Sequence, residues 1–396
     1  MLAGLRRLLY PTRHEWELLF ATSGPQALEI MARQPVEVLI TDMRMPGMDG
    51  AELLRKVIEQ HPGVIRIILS GHSEQEALFR ALGPAHIYLS KPCDGETLRA
   101  VLARALALRQ LLTDADLRRL VAQIDRLPSM PELYVEILRA LERPDVSPRH
   151  IGEIIAQDIA MTAKLLQIVN SAFFGLRQHV TDPVQAVILL GLEAIRVLVL
   201  SAHVFSQITP AQLRAFRLDT LWAHSMAVGM AARRIAMAQR LAPEVVEQAA
   251  LTGLLHDIGK LILAANLPEK YSLVLEHAQE EHVSHVNAED HVLGSTHAEL
   301  GAYLLGLWGL PDSIVVAIAR HHIPQGNGFE ALLPMLGAVH IADWFHHATK
   351  PLPGPYPPPP LDESLVARLG LTEALQVWLD SGEITEAISE TCEGRV

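Results

Sequence analysis

The second half of this sequence contains histidines and aspartates of the types that bind divalent metal ions. Imidazole nitrogen and carboxylate oxygen suit hard to borderline metals, and no thiolate lies among them. Each residue lies in an apolar, helix-forming stretch, where burying an unpaired polar group costs free energy. A metal centre shared by all of them would explain the pattern. The candidate ligands are His224, His256, Asp257, His297, His321, His322 and Asp343.

The adjacent pair His256-Asp257 sets the strictest geometric condition on such a centre. Neighbouring residues of a helix point about 100° apart, so both reach one centre only from a helix end or if the carboxylate bridges two ions. Asp257 is the natural bridge, and Gly259 suits a helix terminus. For one residue alone, such as His224, an ordinary core histidine is the commoner explanation, but the combined set favours a metal. The other histidines of this half are interpreted as surface or supporting residues: His277, His282, His285, His291, His340, His346 and His347.

A second group of polar residues lies near the start of the chain. Asp42, Ser70 and Lys91 each follow a short apolar run typical of a strand. Polar groups at the carboxyl ends of parallel strands meet at one edge of a sheet. There a carboxylate could attack phosphorus, a lysine could neutralise the phosphoryl oxygens, and a hydroxyl could reorient toward the new phosphate. The alternative is that Asp42 only caps the next helix, which the matching positions of the other two disfavour.

Hydrophobic periodicity predicts two kinds of domain. Strands that alternate with helices indicate an α/β doubly wound domain over 1–112, with its last helix running on as a stiff link. Over 113–349, apolar residues recur at three- and four-residue spacing, which predicts an all-α helical bundle without strands. Residues 350–396 are interpreted as a Pro-rich spacer and a short helical tail. The predicted strands cover 36–41, 64–69 and 86–89, and the predicted helices cover 50–60, 74–82 and 94–112.

Composition limits the classes of function. A formal net charge of -12 argues against direct nucleic-acid binding, which needs clustered Lys and Arg. With only Cys93 and Cys392, the chain implies no disulfide framework and fits a reducing cytoplasm. The longest apolar run, about 186–205, is interrupted by Glu193 and Arg196. We therefore expect a cytoplasmic protein with a buried helix pair there and no membrane span.

Residues 1–112 resemble the receiver domain of two-component response regulators, which has a flavodoxin-like fold. Asp42 matches the phospho-acceptor, Ser70 the switch hydroxyl and Lys91 the lysine before a proline, while Tyr88 matches the aromatic switch. The resemblance implies a sensor histidine kinase as partner. Receivers begin with a strand that ends in an acidic pair which helps to hold Mg²⁺, whereas this chain begins inside the expected first helix, Leu2–Tyr10. We expect either a misassigned start or a receiver that cannot bind Mg²⁺ normally, and we favour the first.

The candidate metal ligands resemble those of the HD superfamily of metal-dependent phosphohydrolases. That family carries an H…HD…D pattern, and its HD-GYP branch adds further histidines. The resemblance also implies a lysine, soon after the HD pair, that could contact a phosphate. The core pattern is matched by His224, His256, Asp257 and Asp343, the added set by His297, His321 and His322, and the lysine by Lys260.

The wider region, about 115–325, is more similar to HDOD domains, which are related to HD hydrolases but commonly lack the ligands and act in signalling or protein interaction. The stretches 127–131, 157–172 and 186–192 carry this resemblance. This chain keeps the ligands, but it lacks the Gly-Tyr-Pro element after His322. Thr220 stands where some three-metal relatives have an acidic residue. We expect at most two metal ions, and a cyclic dinucleotide substrate is disfavoured.

Two main functions remain open at this level. In the first, the phosphorylated receiver acts on a metal-binding HDOD domain that engages a protein partner. In the second, two metal ions activate a water that hydrolyses a phosphoester, with help from Lys260. A third and weaker hypothesis is a di-iron redox or oxygen sensor. The expected cofactors are one or two iron or manganese ions in the helical domain, and Mg²⁺ in the receiver only if the acidic pair exists. A homodimer is compatible with each hypothesis.

Overall fold

An α/β domain comes first in the chain, and a helical domain packs against it. The structure, a computed structural model, describes residues 2–384 except 71–84, 92, 110, 113, 125–126, 130–135, 138, 142, 144, 171–178, 193–194, 196–204, 208–215, 325–329, 351–356 and 358. The helix expected over 74–82 lies outside the described residues, as do parts of the HDOD-like stretches 127–131 and 157–172 and of the Pro-rich segment.

A three-stranded parallel sheet forms the centre of the first domain. Its order is β1 (Val38–Asp42), β2 (Ile65–Ser70) and β3 (Ile87–Ser90). The middle strand is fully buried at Ile65 and Ile67, as expected for a parallel strand covered on both faces. The helices of this domain are α1 (Leu2–Leu9), α2 (Gly24–Arg33), α3 (Gly50–Gln60) and α4 (Gly95–Leu108). The predicted parallel sheet is confirmed, but α4 is shorter than the 94–112 expected and does not run on into the next domain.

Among the described residues, twelve further helices build most of the second domain. Apolar positions at helical spacing face inward, and proline or a capping side chain begins many of these helices, for example Ser147 before α6 and Ser284 before α13. The helices are α5 (Ala115–Gln123), α6 (Pro148–Ile155), α7 (Ile159–Val169), α8 (Pro183–Leu190), α9 (Leu218–Ala238), α10 (Pro243–Leu255), α11 (Ile258–Asn266), α12 (Pro268–Glu280), α13 (His285–Leu293), α14 (His297–Leu307), α15 (Asp312–Arg320) and α16 (Leu333–Thr349).

Two short strands are an exception to the expected absence of strands after residue 113. β4 (Leu127–Ser129) and β5 (Phe205–Gln207) pair in parallel. They are three residues each and lie far apart in sequence. Periodicity could not reveal them, because a three-residue strand is too short to show an alternation.

The C-terminal segment is part of the folded bundle. Two short helices, α17 (Glu363–Arg368) and α18 (Thr372–Ser381), lie against α9 and α16. Trp378 is 1% exposed and belongs to a hydrophobic cluster with Val228 and Leu336. This tail therefore stabilises the helices that carry two of the candidate metal ligands.

The two domains share one hydrophobic core. Leu108 at the end of α4 packs onto Gly306 of α14, where an added Cβ would collide with the leucine side chain. Arg104 Nε lies 2.6 Å from Asp312 Oδ1 at the start of α15. Buried Arg66 also donates to the carbonyl oxygen of Ala122 at 2.6 Å. The helical domain therefore packs on α4 and on the region where the sheet strands begin, at the edge opposite to Asp42.

The sequence shows one weak membrane-like feature. No single helix in the described parts of the chain is long and apolar enough to cross a membrane, but the bent pair Pro243–Asn266 and Pro268–Glu280 passes by length and composition together.

Candidate metal centre and phosphorylation site

Helix ends bring the seven candidate ligands to the middle of the bundle. Only two of them lie inside a helix, and the others lie where one helix stops or another begins. This placement lets sequence neighbours face the same point, as required for His256 and Asp257. The positions are His224 in α9, His256 and Asp257 between α10 and α11, His297 at the first residue of α14, His321 and His322 directly after α15, and Asp343 in α16.

Close helix packing sets the position of His297. Thr296 and Glu299 form a reciprocal capping box that begins α14 at His297. The backbone of His297 lies directly against Gly259 of α11, where any Cβ would collide with the His297 carbonyl oxygen. The predicted role of Gly259 as a terminus residue is thus incomplete, because its lack of a side chain also lets the two helices meet.

A first group of ligand atoms surrounds one point between α9, α10 and α16. His224 Nε2 lies 3.2 Å from His256 Nε2 and 3.1 Å from Asp343 Oδ1. Asp257 Oδ2 lies 3.7 Å from His224 Nε2 and 3.5 Å from His256 Nε2. Two ligand atoms that each lie about 2.1 Å from the same ion, at an angle of about 90° to 120° measured at the ion, are about 3.0 to 3.6 Å apart. Three of these separations lie in that range and the fourth, 3.7 Å between Asp257 Oδ2 and His224 Nε2, lies just above it, so the group suits a single metal ion.

A second group lies on the other side of Asp257. Its Oδ1 atom is 3.0 Å from His297 Nε2, and His297 Nε2 is 3.0 Å from His322 Nε2. The ring centroids of His321 and His322 are 3.8 Å apart. Asp257, His297, His321 and His322 offer ligand atoms within 4.8 Å of one another, as do His224, His256 and Asp343 in the first group. Asp257 thus presents one carboxylate oxygen to each group, which is the arrangement of a bridge.

Hydrogen bonds on the outer side of the imidazoles leave their inner nitrogens available as ligands. His256 Nδ1 lies 2.7 Å from the Gly253 carbonyl oxygen, and His321 Nδ1 lies 2.7 Å from the Ile318 carbonyl oxygen. His297 Nδ1 lies 2.6 Å from Glu289 Oε2. In each case a carbonyl or carboxylate can only accept, so the ring donates from Nδ1. The neutral ring then has a bare Nε2, as in metal-binding histidines.

The centre contains more buried negative charge than its one lysine balances. Asp257, Asp343 and Glu289 are at most 2% exposed, and Lys260 Nζ donates to Asp257 Oδ2 at 2.7 Å. With neutral histidines, this leaves two negative charges in the interior, and unpaired buried charge is strongly unfavourable. Two protons or a divalent cation would restore neutrality.

The pKa values of the buried histidines depend on how close each ring lies to this excess of negative charge. Burial alone lowers the pKa of His297, but the charges of Glu289 and Asp257 outweigh it and raise the pKa to about 9. Burial likewise opposes the charged form of His256, yet Asp257 raises its pKa. Burial lowers the pKa of His321 well below its usual range. Protons therefore collect on particular rings, in the positions where metal ions would otherwise supply positive charge.

Buried oxygen and nitrogen atoms without hydrogen-bond partners also face these groups. Across the described residues, Asp257 Oδ1, Asp343 Oδ1, His321 Nε2 and His322 Nδ1 are buried and have no aligned hydrogen bond. Unsatisfied buried polar atoms are rare in folded proteins, and a metal-binding site is one recognised cause. The donor set therefore fits one or two divalent metal ions.

One residue close to the centre was not predicted, and two histidines predicted as surface or supporting residues contact candidate ligands. Glu289 had not been noted; it is fully buried and accepts hydrogen bonds from both the ring and the backbone of His297. His346 Nδ1 lies 2.9 Å from His224 Nδ1, and His347 Nε2 lies 3.4 Å from Asp343 Oδ1. The spacing of three and four residues after Asp343 was a signal for the two histidines. Glu289 gave no such signal, because a single glutamate in a polar helix segment is ordinary.

At the sheet edge, Asp42 and Lys91 meet as expected. Lys91 Nζ lies 2.5 Å from Asp42 Oδ1. The cap of α3 is Asp49, which accepts from Glu52 N, so Asp42 does not serve as that cap. Ser70 and Tyr88 lie on β2 and β3, but their side chains are outside the described residues. In the described part of the chain, no group of three metal-binding side chains includes Asp42.

Family models match both domains. A model of the response regulator receiver domain matches residues 1–103, and a model of the HDOD domain matches residues 127–324, half of the chain. The chain belongs to the receiver–HDOD response regulators. The expected fold class, a flavodoxin-like receiver followed by a helical domain, is confirmed with it. The architecture supports two-component signalling, and a receiver implies a phosphodonor such as a histidine kinase.

Several known proteins are similar to this response regulator. An uncharacterized protein of Treponema pallidum (strain Nichols) is 30% identical over 227 residues, which are 56% of this chain and 42% of that protein. The DNA-binding transcriptional regulator NtrC of Escherichia coli (strain K12) is 38% identical over 86 residues, which are 22% of this chain and 18% of NtrC. The chain thus spans less than half the length of these curated relatives. The crystal structure of the MmoQ response regulator from Methylococcus capsulatus str. Bath is 30% identical, with a TM-score of 0.49, covering 64% of this chain and 98% of that one.

Proposed function

We propose that this response regulator accepts a phosphoryl group at Asp42 from a sensor histidine kinase and controls an HDOD domain that binds divalent metal ions and signals by engaging a protein partner. The observation that carries the metal proposal is the position of Asp257, whose Oδ2 faces His224 and His256 while Oδ1 faces His297 at 3.0 Å. A carboxylate with separate nitrogen ligands around each oxygen is suited to hold two ions side by side.

Charge supports the same proposal. Three buried carboxylates and one buried lysine leave two negative charges, which one divalent ion would neutralise. A second ion would make the centre positive and would attract an anion, such as hydroxide or a phosphate. Iron or manganese fits a mixed set of imidazoles and carboxylates. The helical domain would then be stabilised by the metal as well as by its core.

Metal analysis of the full chain tests this proposal. Protein purified without chelator should carry close to two equivalents of iron or manganese by mass spectrometry. Asp257→Asn should lose both ions, because the amide nitrogen cannot replace the second bridging oxygen. Asp290→Asn, which changes an exposed carboxylate on α13, is the matched control and should keep them. Equal metal content in all three proteins, or none in the wild type, would rule out the bridge.

Phosphorylation of the receiver is proposed from the contact between Asp42 and Lys91. The carboxylate is partly exposed, with 15% of its side-chain surface accessible, so a phosphodonor can reach it. The lysine would neutralise the phosphoryl oxygens. Incubation with acetyl phosphate and Mg²⁺ should give one phosphorylated species on a phosphate-affinity gel. Asp42→Asn should abolish it, whereas Asp49→Asn, at the cap of α3, should not.

Coupling between the domains would pass through α4. Leu108 packs on α14, and Arg104 pairs with Asp312 at the start of α15. Helix α14 begins with His297 and α15 ends before His321. A shift of α4 on phosphorylation would therefore move two helices whose ends position ligands of the second group. Hydrogen exchange of α14 and α15 should change with acetyl phosphate in the wild type and stay unchanged in Asp42→Asn.

A metal-dependent phosphohydrolase is the second candidate, favoured by the contact of Lys260 with the bridging carboxylate. Bound metal ions would supply an activated water and stabilise charge on a phosphoryl group. Metal binding at Asp257 Oδ2 would compete with the Lys260 ammonium and free it to contact a phosphate. Hydrolysis of bis-p-nitrophenyl phosphate or cyclic dinucleotides with added manganese, lost in Lys260→Met but kept in Lys270→Met, would support it. No hydrolysis of any ester would favour the interaction module.

A further inference from the structure

The geometry points to His347 as a fifth ligand of the first metal position, one that makes this position nitrogen-rich and selective for iron(II) or zinc over manganese. The inference rests on the proposed metal centre and adds to it a residue outside the H…HD…D pattern. The sequence alone predicts only a surface or supporting role for His347.

The place of His347 in α16 directs it to the centre. It follows Asp343 by four residues, so both side chains project from the same face of the helix. His347 Nε2 lies 3.4 Å from Asp343 Oδ1, and its ring centroid is 4.7 Å from that of His224. The 3.4 Å separation lies in the range of about 3.0 to 3.6 Å expected for two ligands of one ion.

The environment of Asp343 Oδ1 argues against a simple ion pair. Three imidazole nitrogens surround this oxygen, from His224 at 3.1 Å, His347 at 3.4 Å and His256 at 3.6 Å. Even so, no donor in the described part of the chain is aligned on it as a hydrogen bond. Three imidazole nitrogens that converge on one carboxylate oxygen at these separations, without well-aligned hydrogen bonds, are positioned as fellow ligands of a common ion.

Exposure distinguishes His347 from the other ligands of this group. Its side chain is 13% exposed, whereas those of His224, His256 and Asp257 are at most 2% exposed. His347 thus closes the first position on its more open side. With two carboxylates and three imidazoles in place, an octahedral ion would keep one position for water or substrate.

Ligand chemistry gives the expected selectivity. Imidazole suits zinc and iron, and carboxylates suit manganese and magnesium. With two imidazoles and two carboxylates, the first position would accept manganese readily. A third imidazole shifts the preference toward zinc and iron(II), so removing it should weaken zinc binding much more than manganese binding.

Titration of the metal-free full chain with zinc, manganese and cobalt(II), against competing chelators, tests the inference. In His347→Gln, zinc affinity at one of the two positions should fall at least as much as when a residue that supports a metal ligand is removed, which is about 10- to 100-fold. The loss of manganese affinity should be smaller. The visible bands of cobalt(II) should also change. In His347→Ala, free imidazole should restore the wild-type cobalt spectrum, which a purely structural role would not allow. His291→Gln, at an exposed histidine, is the control.

The outcomes separate this inference from the metal centre itself. Wild-type protein that binds no cobalt(II) would overturn both. Wild-type protein that binds two ions, with His347→Gln equal to it in affinity, metal preference and spectrum, would overturn only the role of His347. Circular dichroism of each metal-free variant shows whether it folds. Because glutamine keeps the length and helix preference of the site, His347→Gln gives a result even if His347→Ala unfolds.

Discussion

Replacing Glu289 by glutamine should remove a specific pH dependence from the stability of the metal-free protein. Glu289 Oε2 lies 2.6 Å from His297 Nδ1, and both side chains are fully buried. Glutamine can still accept from the ring and from the His297 backbone, so the geometry is kept while the negative charge is lost. The substitution therefore isolates the larger of the two carboxylate charges, Glu289 and Asp257, that raise the pKa of His297 to about 9.

The magnitude and sign follow from linkage. The pKa of His297 rises from 6.5 in the unfolded chain to about 9 in the folded protein. At about 1.4 kcal/mol per pKa unit, this rise contributes about 3 kcal/mol to the free energy of unfolding. Because the folded pKa is the higher one, this stabilisation is fully present below pH 6.5 and is lost as the pH rises through about 9. In Glu289→Gln, most of this decline between pH 6.5 and 9 should disappear.

Urea unfolding followed by tryptophan fluorescence, in the presence of a chelator and at several pH values from 6 to 10, measures the effect. Glu280→Gln, at an exposed glutamate of α12, should keep the wild-type slope. With metal bound, the slope should be absent in the wild type too, since the ion takes the place of the proton. Parallel pH profiles for the metal-free wild type and Glu289→Gln would refute the charge argument.

Three other predictions concern packing and metal uptake. Gly259→Ala should lower the melting temperature strongly and release the metal, because the added Cβ would collide with the His297 carbonyl oxygen. The control is Gly4→Ala, whose added Cβ meets nothing within 4 Å, so it should be neutral or stabilise the protein by about 1 kcal/mol in the same melting experiment. Leu108→Ala should lower the free energy of unfolding by about 2–5 kcal/mol, because it leaves a cavity between the two domains. Asp312→Ala should lower it by at most about 1 kcal/mol, because the Asp312 side chain is 74% exposed in its ion pair with Arg104. Metal uptake at pH 7 should release at least one proton per chain into a weak buffer, measured by indicator dye, since His297 gives up its proton to become a ligand.

The local sequence was sufficient for features that depend on near neighbours. The runs around Val38–Asp42 and Ile65–Ser70 are β-branched and bounded by turn residues, so the strands and the sheet edge that carries Asp42 could be located from spacing alone. The metal ligands could be proposed because seven polar residues in apolar helices need a shared explanation. The candidate ligands could thus be named before any geometry was known, although their metal binding stays a prediction.

Only the tertiary structure decided how those ligands are arranged and what supports them. The separation of the two oxygens of Asp257 into two groups depends on how α9, α14 and α16 cross, and no local pattern encodes that crossing. Glu289 and His347 became visible for the same reason, since their partners are set by the packing of distant helices. The collision that forbids a side chain at Gly259 is likewise a contact between α11 and α14. Short-range periodicity specifies which face of a helix is buried, but the partner of that face is chosen by the packing of the whole chain.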